Sequence, residues 1–161
     1  MVDVDDIVNS KIDGLFSVKK NIFRDNRGAV MHMLRNDLSY FTGNIGEIYF
    51  STIYVNVVKG WKRHLNKNQK FVVPHGEVKF VFYDDRPLSK TRGNIEEFTI
   101  GPDNYKLLIV PPDIWYSFRG IAEGASLIAN CSSIPHQEGE GQTADLQKFA
   151  AIYSWDRPRS A

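Results

Sequence analysis

Short runs of apolar and β-branched residues, separated by turn-forming residues, recur along almost the whole chain. The longest spans residues 47–58, and residues 78–83, 95–100, 106–110, 115–121 and 125–131 continue the pattern. Runs of this length and composition are typical of β-strands, and the Gly, Pro, Asn and Asp residues between them are typical of turns. The pattern predicts an all-β protein built as an antiparallel barrel or sandwich.

Smaller features refine this prediction. Residues 23–28, Phe-Arg-Asp-Asn-Arg-Gly, read as strand, tight turn and returning strand, with Gly28 at the turn. Residues 71–73 and 78–83 read as a hairpin around Pro74-His75-Gly76. The only helical pattern is residues 144–153, which predicts a short C-terminal helix. The residues that share its apolar face are Leu146, Phe149, Ala150 and Tyr153.

Residues 59–66, Lys-Gly-Trp-Lys-Arg-His-Leu-Asn, concentrate the polar side chains that could carry chemistry. They lie between two strand-like runs, and Gly60 near their start permits unusual backbone geometry. We therefore expect this stretch to form a barrel rim that faces a cavity.

Length and composition set broad limits on function. The 161 residues favour one domain over residues 1–161, and 42% hydrophobic with 24% charged residues is ordinary for a globular protein. Because 20 basic residues are balanced by 19 acidic ones, the chain has no general footprint for nucleic acid or membrane surfaces. We expect neither as a partner.

The single cysteine, Cys131, excludes an intramolecular disulfide and is consistent with a reducing cytoplasm. It lies in a buried-strand pattern, which favours a packing role over a nucleophilic one. The acidic N-terminus lacks the features of a signal peptide, and no apolar run has membrane-spanning length. These features predict a cytoplasmic location.

Several short motifs occur in the order found in one known family. They are residues 23–28, Lys59-Gly60, residues 69–72 (Gln-Lys-Phe-Val), residues 76–78 (Gly-Glu-Val), residues 83–86 with 89–91, residues 110–112 (Val-Pro-Pro), and Ile152 with Trp155. With this succession the chain resembles the cupin-fold nucleotide-sugar epimerases, typified by dTDP-4-dehydrorhamnose 3,5-epimerase. Residues 46–52 and 59–61 look like a less characterised branch that includes ketoisomerases.

The resemblance implies a cupin jelly-roll barrel, a homodimer that exchanges N-terminal strands, and no metal or organic cofactor. It implies a nucleotide-diphospho-sugar substrate, a TDP-linked 4-keto-6-deoxyhexose. A base removes the proton next to the ketone, a cation or hydrogen-bond donor stabilises the enolate, and an acid returns the proton. Such chemistry requires a positioned base, a preorganised partner for the oxyanion and cations for the diphosphate.

For the base, two alignments with the family signature compete. Matching Gly60 to the signature glycine places Lys62 at the base position, whereas matching Arg63 to the signature arginine places Asn66 there. The closer branch tends to have two histidines here, of which His64 is the second. His64 is the favoured base because the pKa of an unperturbed histidine is about 6.5. Lys62 would need a lowered pKa, and the alternative for both is a solvated rim.

The resemblance also assigns roles outside the rim. Tyr116 stands where the family often has a histidine, as a proton donor or a core aromatic. Lys70 matches a lysine near the keto oxygen, or is an exposed strand lysine. Arg27 matches an arginine that reaches the nucleotide, or pairs with Asp25. Lys59 and Arg63 are the phosphate candidates, and Asn66 and Gln69 complete the substrate-binding set.

Departures from the family keep the reaction open. The acid tyrosine expected after the cysteine-containing strand is replaced by residues 131–134, Cys-Ser-Ser-Ile. An epimerase is the first hypothesis, and a 3,4-ketoisomerase or a non-catalytic nucleotide-sugar-binding protein are the alternatives. Many cupins bind a metal, but His32, His75 and His136 lack ligand spacing around His64, so we expect no metal site.

Overall fold

The computed structural model describes residues 6–41 and 43–156. Its strands are β1 (Ile7–Asn9), β2 (Phe16–Lys19), β3 (Ile22–Asp25), β4 (Gly28–Met31), β5 (Glu47–Tyr54), β6 (Val58–His64), β7 (Gln69–His75), β8 (Val78–Tyr83), β9 (Ile95–Ile100), β10 (Lys106–Val110), β11 (Trp115–Gly120), β12 (Ala125–Ser132) and β13 (Gly141–Thr143). The strand-rich prediction is confirmed, although the short strand β13 was not foreseen.

The strands form two antiparallel sheets. The six-stranded sheet has the order β1-β2-β10-β7-β12-β5, and the five-stranded sheet has the order β13-β6-β11-β8-β9. Strands β3 and β4 pair only with each other in the described chain, as a separate hairpin. This hairpin confirms the strand, turn and returning strand predicted for residues 23–28.

The main hydrophobic core lies between the two sheets. It includes Ile53, Phe71 and Ile128 from one sheet and Phe80 and Phe82 from the other. Successive side chains of a strand point to opposite faces. Phe71 therefore faces this core, whereas its neighbour Val72 belongs to a second cluster with Val18, Tyr40 and Leu107 on the outer face. This alternation decides which polar residues reach the interior.

The C-terminal segment covers the outer face of the five-stranded sheet. Phe149 is buried there against Trp61 and Trp115, with ring centroids 5.4 and 5.3 Å away. The predicted apolar face is therefore present, but the helix is one 3-10 turn, Leu146–Phe149. It begins later than predicted because Ala144 is still held by the sheet, through two backbone hydrogen bonds with Trp61 of 2.8 and 2.9 Å. Within the described residues, no helix is long and apolar enough to span a membrane.

One local prediction is wrong and a second differs in detail. The hairpin of residues 71–83 does not form, since β7 and β8 lie in different sheets and the turn between them carries the chain across the core. Gly76 lies in this turn with φ +80°, and a Cβ at this position would clash with Ser126. Residues 59–64, expected to form a barrel rim facing a cavity, are most of strand β6, and Lys59, Gly60 and Lys62 do face a cavity.

Candidate active site

Strand β6 presents two polar side chains to the barrel interior. Trp61 belongs to the outer cluster, and Arg63 lies 4.7 Å from the Trp115 ring on that same outer face. By alternation, Lys62 and His64 face inward. His64 is only 7% exposed, and its ring stacks on that of Tyr116 with centroids 6.4 Å apart.

A bulge in β6 shapes the approach to these side chains. Lys62 pairs with Tyr116 and Gly60 with Ser117, so Trp61 is an extra residue on β6. Gly60 has φ +130°, and a Cβ at this position would lie 2.7 Å from the Cα of Ser117. Only glycine allows the two strands to approach this closely, which explains the glycine of the motif.

The orientation of the His64 ring is fixed by a buried carboxylate from a distant part of the chain. His64 Nδ1 lies 2.7 Å from Oε2 of Glu140, which is 5% exposed. The other oxygen of Glu140 accepts the backbone N–H groups of Asn66 and Lys67, at 2.9 and 3.1 Å. Pairing of β13 with β6, with Gly141 opposite His64, brings Glu140 to this position.

These contacts determine the protonation of the pair. Burial opposes ionisation of Glu140, but the hydrogen bonds from Asn66 and His64 outweigh it and hold the Glu140 pKa below its ordinary value. Burial, assisted by the nearby Lys62, lowers the pKa of His64 in spite of Glu140. His64 is therefore neutral near pH 7, with its proton on Nδ1 toward the carboxylate. Its Nε2 is buried and has no hydrogen-bond partner among the described residues.

A cavity of about 220 Å³ opens between the two sheets, and two of its lining residues, Lys62 and Tyr116, are neighbours of His64. One wall consists of Tyr49, Ser51, Phe71 and Ile128 from β5, β7 and β12. The opposite wall consists of Lys59, Gly60, Lys62, Tyr116 and Phe118 from β6 and β11. The cavity thus combines an aromatic lining with two lysines and two tyrosine hydroxyls.

The two tyrosines are positioned differently. Tyr49 accepts a 2.6 Å hydrogen bond from Nδ2 of Asn130, its cross-strand partner on β12. Tyr116 is 5% exposed and stands between His64 and the aromatic core. Burial raises the pKa of both hydroxyls, so both keep their protons near pH 7.

The structure brings together five of the residues predicted from the sequence. Lys59, Lys62 and Tyr116 line the cavity, and His64 and Gln69 lie on the interior face next to Tyr116. Lys59 also donates from Nζ to the carbonyl of Thr52, at 2.9 Å.

The other predicted residues point elsewhere. Lys70 is buried on the outer face of β7, 5.7 Å from the Phe41 ring, because it alternates with the core-facing Phe71. Arg63 forms a 3.0 Å ion pair with Asp113 on the outer face. The Asn66 side chain is exposed. Arg27 forms a 2.6 Å ion pair with Asp25 on the exposed hairpin. This pair is the alternative to a nucleotide contact that the sequence left open.

Asp84 and Arg86, read from the sequence as braces of a strand end, do form such a brace. Asp84 is fully buried and accepts hydrogen bonds from Arg86, Ser89 and Thr91. Among the described residues, no three His, Cys, Asp or Glu side chains are grouped as a metal site would require.

Comparison with known proteins places the chain in a family. A family model described as dTDP-4-dehydrorhamnose 3,5-epimerase matches residues 9–157. The chain belongs to this epimerase family. The predicted family, its jelly-roll fold and its isomerase class are thereby confirmed.

Individual relatives agree with this membership. The chain is 38% identical to a dTDP sugar isomerase from Desulfovibrio desulfuricans G20, with a TM-score of 0.87 over 94% of this chain and 97% of that one. It is 35% identical over 107 residues to the probable low-salt glycan biosynthesis epimerase Agl13 of Haloferax volcanii, covering 66% of this chain and 69% of the relative. A 3,5-epimerase from Legionella pneumophila, in complex with dTDP-4-keto-L-rhamnose, shares the fold at 19% identity, with a TM-score of 0.83 over 94% of this chain and 84% of that one.

Sequence reasoning missed Glu140, Tyr49 and Asn130. Glu140 lies in a stretch of alternating Glu and Gly without strand character, 76 residues after His64. Tyr49 and Asn130 lie within strands that are otherwise apolar, so their sequence context offered no reason to consider their polar groups. The available signal was strand alternation, since Tyr49 shares a face with the buried Ile53, and Asn130 shares one with Ile128.

Proposed function

We propose that the chain removes and returns the proton next to the ketone of a TDP-linked 4-keto-6-deoxyhexose, with His64 as the base. The observation that carries this proposal is the His64–Glu140 pair. Nδ1 of His64 is hydrogen-bonded to the Glu140 carboxylate, which leaves the buried Nε2 of His64 as the proton acceptor. A base of this kind, with a pKa near or below the working pH, suits proton abstraction from carbon.

A tyrosine hydroxyl supplies the proton that returns, and the cavity offers two of them, Tyr116 and Tyr49. Both keep their protons because burial raises their pKa. Tyr116 stacks on His64, whereas Tyr49 lines the opposite wall of the cavity. Epimerisation requires return of the proton from the face opposite to its removal, so a donor across the cavity from the base meets the stereochemical need.

The cations on the cavity wall bind the charged part of the substrate. Lys62 is close enough to His64 to lower the pKa of His64, and Lys59, the more exposed of the two lysines, lines the same cavity. We therefore place the diphosphate of the substrate beside these two lysines, at the entrance of the cavity, and its sugar ring toward Tyr116. The dTDP-sugar found with the Legionella relative supports this substrate class.

A homodimer in the cytoplasm completes the proposal. Strand β5 is at the edge of its sheet and presents Ile48, Phe50 and Tyr54 to solvent. An apolar edge strand of this kind is a typical pairing surface, and a second copy of the chain is the occupant we assign to it. In such a dimer, we expect Arg27 on the exposed hairpin to exchange its ion pair with Asp25 for the partner's nucleotide.

The test is incubation with dTDP-4-keto-6-deoxyglucose in deuterated water, followed by NMR of the sugar. Deuterium at C3 or C5 together with an inverted centre supports epimerisation. A 3-keto product would instead assign the ketoisomerase activity. Nucleotide binding without exchange would leave only the binding function and would refute the proposal.

A further inference from the structure

The barrel interior beside His64 carries an unusual set of buried neutral polar groups. Gln69 is 2% exposed, and neither its Nε2 nor its Oε1 makes a well-aligned hydrogen bond with the described residues, although the amide lies near enough to the Tyr116 hydroxyl to interact with it. Oδ1 of Asn130 and Oγ of Ser132 are likewise buried without a partner there. Buried polar atoms in native proteins are nearly always paired, so this group requires an explanation.

These residues share one face and one end of the barrel. Gln69 is two positions before the core-facing Phe71 on β7, and Ser132 is its direct cross-strand partner on β12. Asn130 is two positions before Ser132 on the same face. The Gln69 amide also lies close enough to Tyr116 to oppose the effect of burial on the pKa of that hydroxyl. Gln69 and His64 therefore flank the same tyrosine.

From this arrangement we infer that Gln69 holds the oxygen of the reacting carbonyl and stabilises the enolate with a neutral hydrogen bond from Nε2. The inference rests on the proposed function and replaces the cation that the family resemblance implied. Lys70, the lysine expected there, is on the other face of β7.

The reaction step is balanced as follows. His64 Nε2 takes the proton from the carbon next to the carbonyl, and the C–H electron pair becomes the new C=C bond. The carbonyl π electrons move to oxygen, where Gln69 donates a hydrogen bond to the developing charge. A donor fixed in a water-poor site is effective because it needs no reorganisation as the charge forms. A neutral amide also avoids the cost of burying an unpaired cation.

The inference predicts opposite effects on activity and stability. Gln69→Met keeps the shape of the side chain and removes both unsatisfied atoms. We expect it to lower the rate of deuterium exchange about 100-fold, the usual loss for one oxyanion donor. Its thermal unfolding midpoint should equal or exceed that of the wild type, because the substitution removes two buried polar atoms whose only approach to Tyr116 is poorly aligned. Gln69→Glu, which brings a negative charge to the oxyanion, should exchange more slowly still.

The matched control is Gln147→Met, at an exposed position of the 3-10 turn, which should keep the wild-type rate. Exchange by Gln69→Met within about threefold of wild type would overturn the inference, as would a lost rate accompanied by a lower unfolding midpoint, which indicates a structural role. If the wild type itself shows no exchange, the proposed function fails, and the inference fails with it. The wild-type measurement therefore separates the two failures.

Discussion

At the scale of single residues, His64 owes its chemistry to Glu140. Glu140 occupies Nδ1 and is itself held by two backbone N–H groups, so the imidazole has one tautomer and one orientation. The sequence identified His64 through its motif, but it could not identify Glu140. An acidic residue in a glycine-rich connection carries no local signal, and only the pairing of β13 with β6 brings it to the histidine.

Replacing Glu140 tests this pairing. Glu140→Gln removes the charge that favours protonated His64, so the His64 pKa falls further and the acid limb of the rate profile moves to lower pH. Because an amide can also donate to Nδ1 and select the wrong tautomer, the plateau rate should fall by roughly 10²- to 10⁴-fold. Deuterium exchange measured across pH 4 to 9 checks both effects.

Glu138→Gln is the matched control for this experiment, because Glu138 is exposed two residues earlier in the same stretch. It should leave the profile unchanged. A normal plateau in Glu140→Gln, or an acid limb displaced to higher pH, would be inconsistent with the pair described above.

At the scale of strands, alternation decides which predicted residues reach the cavity. The positions of most strands could be read from the sequence because their apolar content is high. Which face each residue takes could not, since a shift of one residue reverses every side chain. The family match favoured Lys70 for the keto oxygen, but the register of β7 directs Gln69 inward and Lys70 outward. The wrongly predicted hairpin has a different origin, because turn residues mark a change of direction without identifying the partner strand.

Two lysine variants test which of the two lysines contributes to the reaction. Lys70→Met, on the outer face of β7, should exchange deuterium within about twofold of the wild type. Lys62→Met makes the same substitution on the cavity wall, where it removes a cation beside the base, and should reduce exchange at least about tenfold. Equal losses in both variants, or a larger loss in Lys70→Met, would return Lys70 to the site.

At the scale of the whole molecule, the ordered motifs were enough to predict the family and the jelly roll. Several of them lie at turns and strand ends, where glycine, proline and short polar residues give a recognisable local signal. The association of two copies is harder to predict from the sequence. A strand that is apolar on both faces has the same sequence pattern whether its own chain or a second copy buries it. Strand β5 is such a case, with Phe50 65% exposed and Ile53 only 1% exposed.

The proposed dimer is tested by placing a charge on this surface. Phe50→Asp should shift the protein from dimer to monomer, because an unpaired carboxylate would be buried between the two copies. Light scattering coupled to size-exclusion chromatography gives the mass directly. Leu88→Asp, at a loop residue 98% exposed, is the control and should remain dimeric. A wild type that is monomeric throughout, or a Phe50→Asp variant that stays dimeric, would exclude this interface.

The central claim is that the buried Nε2 of His64 removes a proton from the sugar. The most direct measurement is the rate of deuterium incorporation next to the ketone of dTDP-4-keto-6-deoxyglucose, for wild type and for His64→Asn. We predict incorporation by the wild type, with an acid limb below the ordinary histidine pKa of about 6.5, and a loss of roughly 10²- to 10⁴-fold in the folded variant. Incorporation by His64→Asn at the wild-type rate would contradict the account.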